Sequence, residues 1–288
     1  MSREGLSPVL ISGMHRSGTS KVTSILSKCG LIIGRKLDAN NESLFFQRIN
    51  IWMMSLMGSS WDNPSSFKRL DSKIKEDIVS QLEGLINSRG NTLYFGWRSI
   101  IKKDSFYNIT VPWGWKDPRN IFTQEIWKEV FPDMKTIEII RHPIDTASSL
   151  MNRQKKEIAL DINRKKTSTN VVKALLSISH TNYNSSMILN SYQDCFKLVE
   201  SYYDQISIEQ SQYRLVMRFE DILENPEVEV LSLLEHCELS VGKAKLDQIL
   251  SSIDSTRKYA YRNNSELVDL ENTCATLINK MGYLVEEK

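Results

Sequence analysis

Along the chain, short apolar runs alternate with stretches in which apolar residues recur every three or four positions. The runs Val9-Leu10-Ile11, Thr136-Ile137-Glu138-Ile139-Ile140 and Tyr213-Arg214-Leu215-Val216-Met217-Arg218-Phe219 predict strands, and Leu31-Ile32-Ile33 is a shorter β-like run between two glycines. Helical spacing follows the first run at Val22, Ile25, Leu26 and Cys29, with Gly30 suited to close the helix. It returns at Phe45, Phe46, Ile49, Trp52, Met53, Leu56 and Met57, and again at Ile74, Ile78, Leu82, Leu85 and Ile86, where Asp71 or Ser72 is the expected N-cap and Gly90 the end. Further helices are predicted over 121–131 before Pro132, from Pro143, over about 169–200, at Val228, Leu231 and Leu234, at Leu246, Ile249 and Leu250, and over about 267–281. Strands alternating with helices predict a three-layer α/β/α fold with a mainly parallel sheet. No repeat or low-complexity linker divides the chain, so residues 1–288 are expected to form a single domain.

Composition narrows the function classes without choosing among them. The chain is 41% hydrophobic and 25% charged, with a formal net charge of +2, too small to argue for a nucleic-acid or membrane partner. No apolar run reaches the roughly 20 residues of a membrane span, and the first residues lack a secretory apolar core, so a cytoplasmic protein is expected. Cys29, Cys195, Cys237 and Cys274 form no C-x-x-C pair, and His15, His142, His180 and His236 show no ligand spacing; reduced thiols and no metal are expected.

The chemistry concentrates where the first strand ends. Gly13-Met14-His15-Arg16-Ser17-Gly18-Thr19-Ser20 reads G-x-x-x-x-G-T-S: the glycine spacing of a nucleotide P-loop, with Thr19 where its lysine would stand. The glycines let backbone N–H groups converge on an anion at the positive end of the following helix, helped by Ser17, Thr19 and Ser20. Without the triphosphate-clamping lysine, a single 5′-phosphate-like group is expected, with Arg16 supplying the charge. A chance Gly/Ser turn is the plain alternative.

Other strand ends add candidates. Trp113-Gly114-Trp115-Lys116-Asp117-Pro118-Arg119 is an aromatic run breaking at a charged turn; Lys116 is a site candidate, and Asp117 otherwise pairs with Arg119 or caps the next helix. Arg141-His142-Pro143-Ile144-Asp145 follows the 136–140 strand, with Ser149 two helical turns on; the arginine fork suits phosphate oxygens and the serine hydroxyl is placed to reach the same anion. Glu220 and Asp221, after the 213–219 strand, are expected to cap a helix or hold a loop rather than to catalyse. The basic stretch 155–170 is expected to be solvated surface or a mobile loop over the site, and Ser255-Thr256-Arg257-Lys258-Tyr259 is a late basic loop.

Taken together, G-M-H-R-S-G-T-S, W-G-W-K-D-P-R, R-H-P-I-D with Ser149, and F-E-D-I-L-E-N-P resemble, in order, the motifs of sulfotransferases that use 3′-phosphoadenosine 5′-phosphosulfate (PAPS). The resemblance implies a P-loop-like fold, a 5′-phosphosulfate loop at Arg16, Ser17, Gly18, Thr19 and Ser20, a 3′-phosphate site at Arg141 and Ser149, and a late basic loop brought onto the donor. It implies sulfuryl transfer to a hydroxyl, with a carbohydrate or glycolipid as the expected acceptor and Trp52, Trp61, Trp97, Trp113 and Trp115 as candidate stacking faces. Asn41-Glu42-Ser43-Leu44-Phe45-Phe46-Gln47 is similar to the base-bearing stretch of heparan-type members, which makes Glu42 the expected base, although Gln47 stands where an acid is common. His15, inside the loop and titrating near neutrality, is the competing base. Arg16 and Lys116 are expected to stabilise charge on the leaving oxygen. The rival readings are a P-loop kinase or NTPase, and a non-catalytic nucleotide-binding protein of the same fold.

Overall fold

A computed structural model describes residues 5–88, 91–96, 106–165, 186, 188–206 and 213–283. The expected positions Gly90 and Trp97, and the first part of the helix expected over 169–200, lie outside the described residues. Among the described residues four parallel strands form one sheet in the order β2-β1-β3-β4: β1 Val9–Gly13, β2 Gly114–Lys116, β3 Lys135–Ile140 and β4 Arg214–Arg218. All of β1 is buried, as its unbroken apolar run requires of a central strand covered on both faces. Gly114 permits its pairing with β2, because a Cβ there would overlap the Val9 carbonyl.

Period-two alternation assigns the two faces. Leu10 packs into one apolar cluster while Val9, Ile11, Ile137, Ile139 and Met217 pack into another. The helices are α1 Thr19–Lys28, α2 Leu44–Leu56, α3 Ser72–Asn87, α4 Thr92–Phe95, α5 Asn120–Val130, α6 Pro143–Lys165, α7 Tyr192–Ile206, α8 Phe219–Glu224, α9 Pro226–His236, α10 Lys243–Ser251, α11 Ser265–Val268 and α12 Leu270–Lys280. Buried residues of α2, α3, α5, α6, α7 and α12 join the Leu10 cluster, while α8 and parts of α1 and α9 join the other and α1, α9 and α10 share a third, so helices cover both faces and the α/β expectation holds.

Local signals act largely as expected. Gly30 (φ 110°) closes α1 in a Schellman arrangement, with Gly30 N donating to Ser27 O and Leu31 N to Leu26 O. The Asp71 side chain caps α3 by accepting from Lys73 N.

Three expectations gain detail. Leu31-Ile32-Ile33 contributes only the isolated bridge Ile32 to Trp113, and Ile32 is 45% exposed, so no further strand burial rewards its ordering. The basic stretch continues α6 to Lys165 as helix rather than loop, with Lys155 and Lys156 exposed as expected of solvated surface; Lys, Glu, Ala and Leu are good helix formers. In α9 the buried residues are Val230, Leu233 and Leu234, while Val228 and Leu231 are exposed.

Candidate functional site

The carboxyl ends of all four strands open onto one cavity of about 310 Å³. His15, Arg16, Gly18, Thr19, Ser20, Glu42, Lys116, Arg141 and Ser149 line it, so the sequence candidates from four separate stretches meet there. Ser17 does not line it: its side chain is fully buried, packed toward Gly13, and its hydroxyl has no partner among the described residues.

The loop after β1 is shaped for close approach. Arg16 adopts φ 73°, a left-handed conformation that costs a non-glycine residue energy. Gly18 has φ 101° and lies so close to the Phe219 ring that any Cβ would overlap it. The α1 N-terminus carries no acidic residue in its first turn, leaving its positive end for an anion.

Two arginines bind the loop to the next strand end. Arg16 Nε donates to Ser149 Oγ at 2.9 Å, which joins the anion loop to α6. Arg141 lies 5.1 Å over the Phe219 ring, donates to Arg16 O at 3.4 Å and Arg257 O at 3.3 Å, and is 3.5 Å from Asp145. Its Nε has no partner among the described residues. The late basic loop therefore does reach the cavity, through Arg257. The Arg16 pKa is lowered first by burial and then by Arg153, Arg141 and Arg257, a sign of cations crowded around one space.

The opposite wall is a buried ionic cluster. Glu42 Oε1 accepts from Lys116 Nζ at 2.9 Å, and Oε2 accepts from Gln47 Nε2 at 2.8 Å and Arg119 Nη1 at 3.4 Å. Gln47, where an acid is common, thus serves as a donor to Glu42. Burial pushes the Glu42 carboxyl up, but Lys116 and Arg119 more than reverse this and hold it below the usual range. Asp38 shapes the turn, its Oδ1 accepting from Asn40 N and Glu42 N at 2.8 Å each. The corner also pairs internally, Asp117 accepting from Arg119 N at 2.9 Å and Nη1 at 3.0 Å. The corner of W-K-D-P-R is therefore salt-bridged, with Asp117 as the brace, while Lys116 stands in the cavity wall.

Asn50 fixes that corner. From α2 it donates to Asp117 Oδ2 at 2.9 Å and Asn120 Oδ1 at 2.7 Å, and accepts from Thr123 Oγ1 and Trp127 Nε1. Around it Phe46 stacks on Trp115 at 3.9 Å. Trp113 and Trp115 are core, at 1% and 0% exposure, and offer no face to a sugar.

His15 is buried against Trp61 (4.8 Å) and Tyr202 (6.2 Å), and its Nε2 has no partner among the described residues. Burial first, then Arg119, Arg153, Lys116 and Arg16, lower its pKa well below the ordinary histidine value, so the ring is neutral. Glu220 braces the Arg141 turn, accepting from His142 N at 3.0 Å and Tyr283 Oη at 2.8 Å, the holding role expected of it.

Sequence reasoning gave no role to Phe219 and Leu223, which add apolar wall to the cavity, or to Arg153, which lines it and lies 4.8 Å over the Trp61 ring. Phe219 was detectable as the aromatic residue preceding Glu220; Arg153 was hidden in a run that reads as surface charge.

A sequence profile described as "Sulfotransferase family" matches residues 8–243. No curated protein matches the chain. Similar solved structures include a sulfotransferase domain from the curacin biosynthetic pathway, with 13% identity, a TM-score of 0.49, and coverage of 94% of this chain and 99% of that one. A sulfotransferase from Alicyclobacillus acidocaldarius shows 15% identity and a TM-score of 0.46 over 98% of each chain. A mouse sulfotransferase complexed with PAP shows 9% identity and a TM-score of 0.41, covering 86% of this chain and 65% of that one.

Proposed function

The chain belongs to the sulfotransferase family, and from that premise we propose that it moves a sulfuryl group from PAPS to a hydroxyl of a carbohydrate or glycolipid. The observation that carries the reading is the ring of Arg16, Arg141, Arg153 and Arg257 around one cavity beside a helix N-terminus. Like charges at this range repel, so an anion between them is strongly favoured. Two sets of anion-binding groups on one cavity, the loop at Thr19 and Ser20 and the Arg141–Ser149 side, suit a nucleotide with phosphates on both ends of its ribose. Phe219 and Leu223 offer the apolar wall a purine needs.

When bound, the donor supplies an activated sulfuryl group with a nucleoside bisphosphate as leaving group. Arg16 and the loop N–H groups stabilise the charge that builds on the bridging oxygen, and Lys116 shares that role from the facing wall. Glu42 accepts the acceptor's proton. Its cationic neighbours keep it ionised and also make it a weak base, which suits a proton that moves late, once sulfur has acidified the attacking hydroxyl. His15, neutral and packed on Trp61, helps to shape the acceptor side, where the half-buried Trp61 and Arg153 are the available stacking and charged surfaces.

The test is transfer of labelled sulfate from PAPS to a panel of glycans, glycolipids, phenols and peptides. Transfer to a sugar hydroxyl that collapses in Arg16→Ala is expected; transfer to phenols or peptides alone would overturn the acceptor class.

A further inference from the structure

We propose that a second cavity, back to back with the first, binds a phosphate-class oxyanion. It encloses about 410 Å³ and is lined by His142, Arg218, Lys258, Tyr259, Arg262 and Tyr283, with Gly282 at its edge. Three of its walls are sequence neighbours of the first cavity's walls: His142 follows Arg141, Lys258 follows Arg257, and Arg218 precedes Phe219. Each pair contributes one residue to each cavity, so the two spaces are separate yet share backbone.

The lining is cationic and already arranged. Arg218 lies 4.8 Å over the Tyr283 ring and donates Nη2 to Gly282 O at 2.8 Å. Arg262 lies 4.8 Å over the Tyr259 ring, and Lys258 Nζ is 5.7 Å from the same ring. Among the described residues no carboxylate lines the cavity. Two acids stand just outside the lining: the exposed Glu224 pairs with Lys258 at 2.7 Å, and Glu220 accepts from Tyr283 Oη and the His142 backbone N–H.

His142 is the second, independent sign. It is 2% exposed and stacks on Tyr261 at 4.5 Å, and its Nδ1 has no partner among the described residues. A buried polar atom without a partner is costly, which leaves the His142 wall with an unmet polar group beside the cavity. Three cations held by aromatic faces, beside a neutral imidazole, fit an oxyanion carrying more than one charge. Free pyrophosphate and a phosphate ester share that chemistry.

The experiment is calorimetric titration of inorganic pyrophosphate, and separately of phenyl phosphate, at constant ionic strength into full-length protein saturated with 3′-phosphoadenosine 5′-phosphate. One further anion is expected to bind, with Lys258→Gln and Arg218→Gln each weakening it at least about tenfold. Tighter pyrophosphate binding assigns the free ion, and tighter phenyl phosphate binding the ester. The glutamine at 218 keeps a donor for Gly282 O, and Lys258→Gln decides alone if the other variant fails to fold. Absence of binding, or binding that Lys258→Gln leaves unchanged, overturns the proposal. An anion lodged in the first cavity would respond to Arg141→Gln instead, so failure of the donor reading is separately visible.

Discussion

Replacing Glu42 by Gln removes one charge from the centre of the buried cluster and little volume. Lys116, with a side chain 2% exposed, then keeps only neutral oxygens: the new amide, Asn40 O at 3.2 Å and Ser20 Oγ at 3.4 Å. Arg119 retains Asp117 at 3.0 Å. Breaking a buried ion pair costs about 3–5 kcal/mol, and the retained contacts place this variant near about 3 kcal/mol. For a chain of this size that is a fall in melting temperature of roughly 6–12 °C. Adding Lys116→Met removes the stranded cation and is expected to recover at least half of the loss. Thermal unfolding followed by circular dichroism at pH 7 reads all three proteins. A single variant melting within about 1 °C of wild type, or a double variant that only adds two losses, would refute the view that Glu42 and Lys116 form one charge-compensated unit.

Turnover of Glu42→Gln, measured below its melting range with labelled donor, is expected to fall by about 10² to 10⁴ while donor binding persists; near-wild-type turnover with a dead His15→Asn moves the base to His15. Arg141→Ala is expected to weaken 3′-phosphoadenosine 5′-phosphate binding at least about tenfold with the fold intact, since it removes a charged phosphate contact; unchanged affinity by calorimetry removes Arg141 from the site. Gly18→Ala forces a side chain into left-handed backbone and the Phe219 ring, so a loss of roughly 1–3 kcal/mol in a denaturant titration is expected, together with donor binding; a normal, donor-binding protein contradicts the loop geometry. Burial, then nearby cations, hold His15, His142 and His236 below the ordinary value, His142 at about 3. The unfolded chain therefore takes up protons that the folded chain refuses below about pH 6.5. Stability is fully present above that pH and falls as pH drops toward 5.5, by up to about 1.4 kcal/mol per unit for each histidine; a flat melting profile over that window would contradict it.

The site was legible where its chemistry is local in sequence. Arg16, Thr19 and Arg141 stand just after an apolar strand run, Lys116 ends one, and Ser149 follows Arg141 by two helical turns, so strand ends pointed to one cavity. That the Ser17 side chain is buried, off the cavity lining, was not legible, because spacing shows that a residue belongs to a turn, not which side of the turn it faces. Tryptophan burial was equally unreadable: Trp113 and Trp115, just before and within β2, are core, while Trp61 is half-buried beside His15, and composition does not distinguish them. Asn50 joins Asp117 across 67 positions, a contact only tertiary packing creates. The continuation of α6 through the basic stretch depended on helix propensity, which charge counting obscured.

The most direct measurement is calorimetric titration of 3′-phosphoadenosine 5′-phosphate against adenosine 5′-phosphate. Two anion positions around one cavity predict that the bisphosphate binds at least about tenfold tighter, and that Arg141→Ala narrows the difference. Equal affinity for the two ligands, or no binding of either, would contradict a donor site built from Arg16, Arg141 and Ser149.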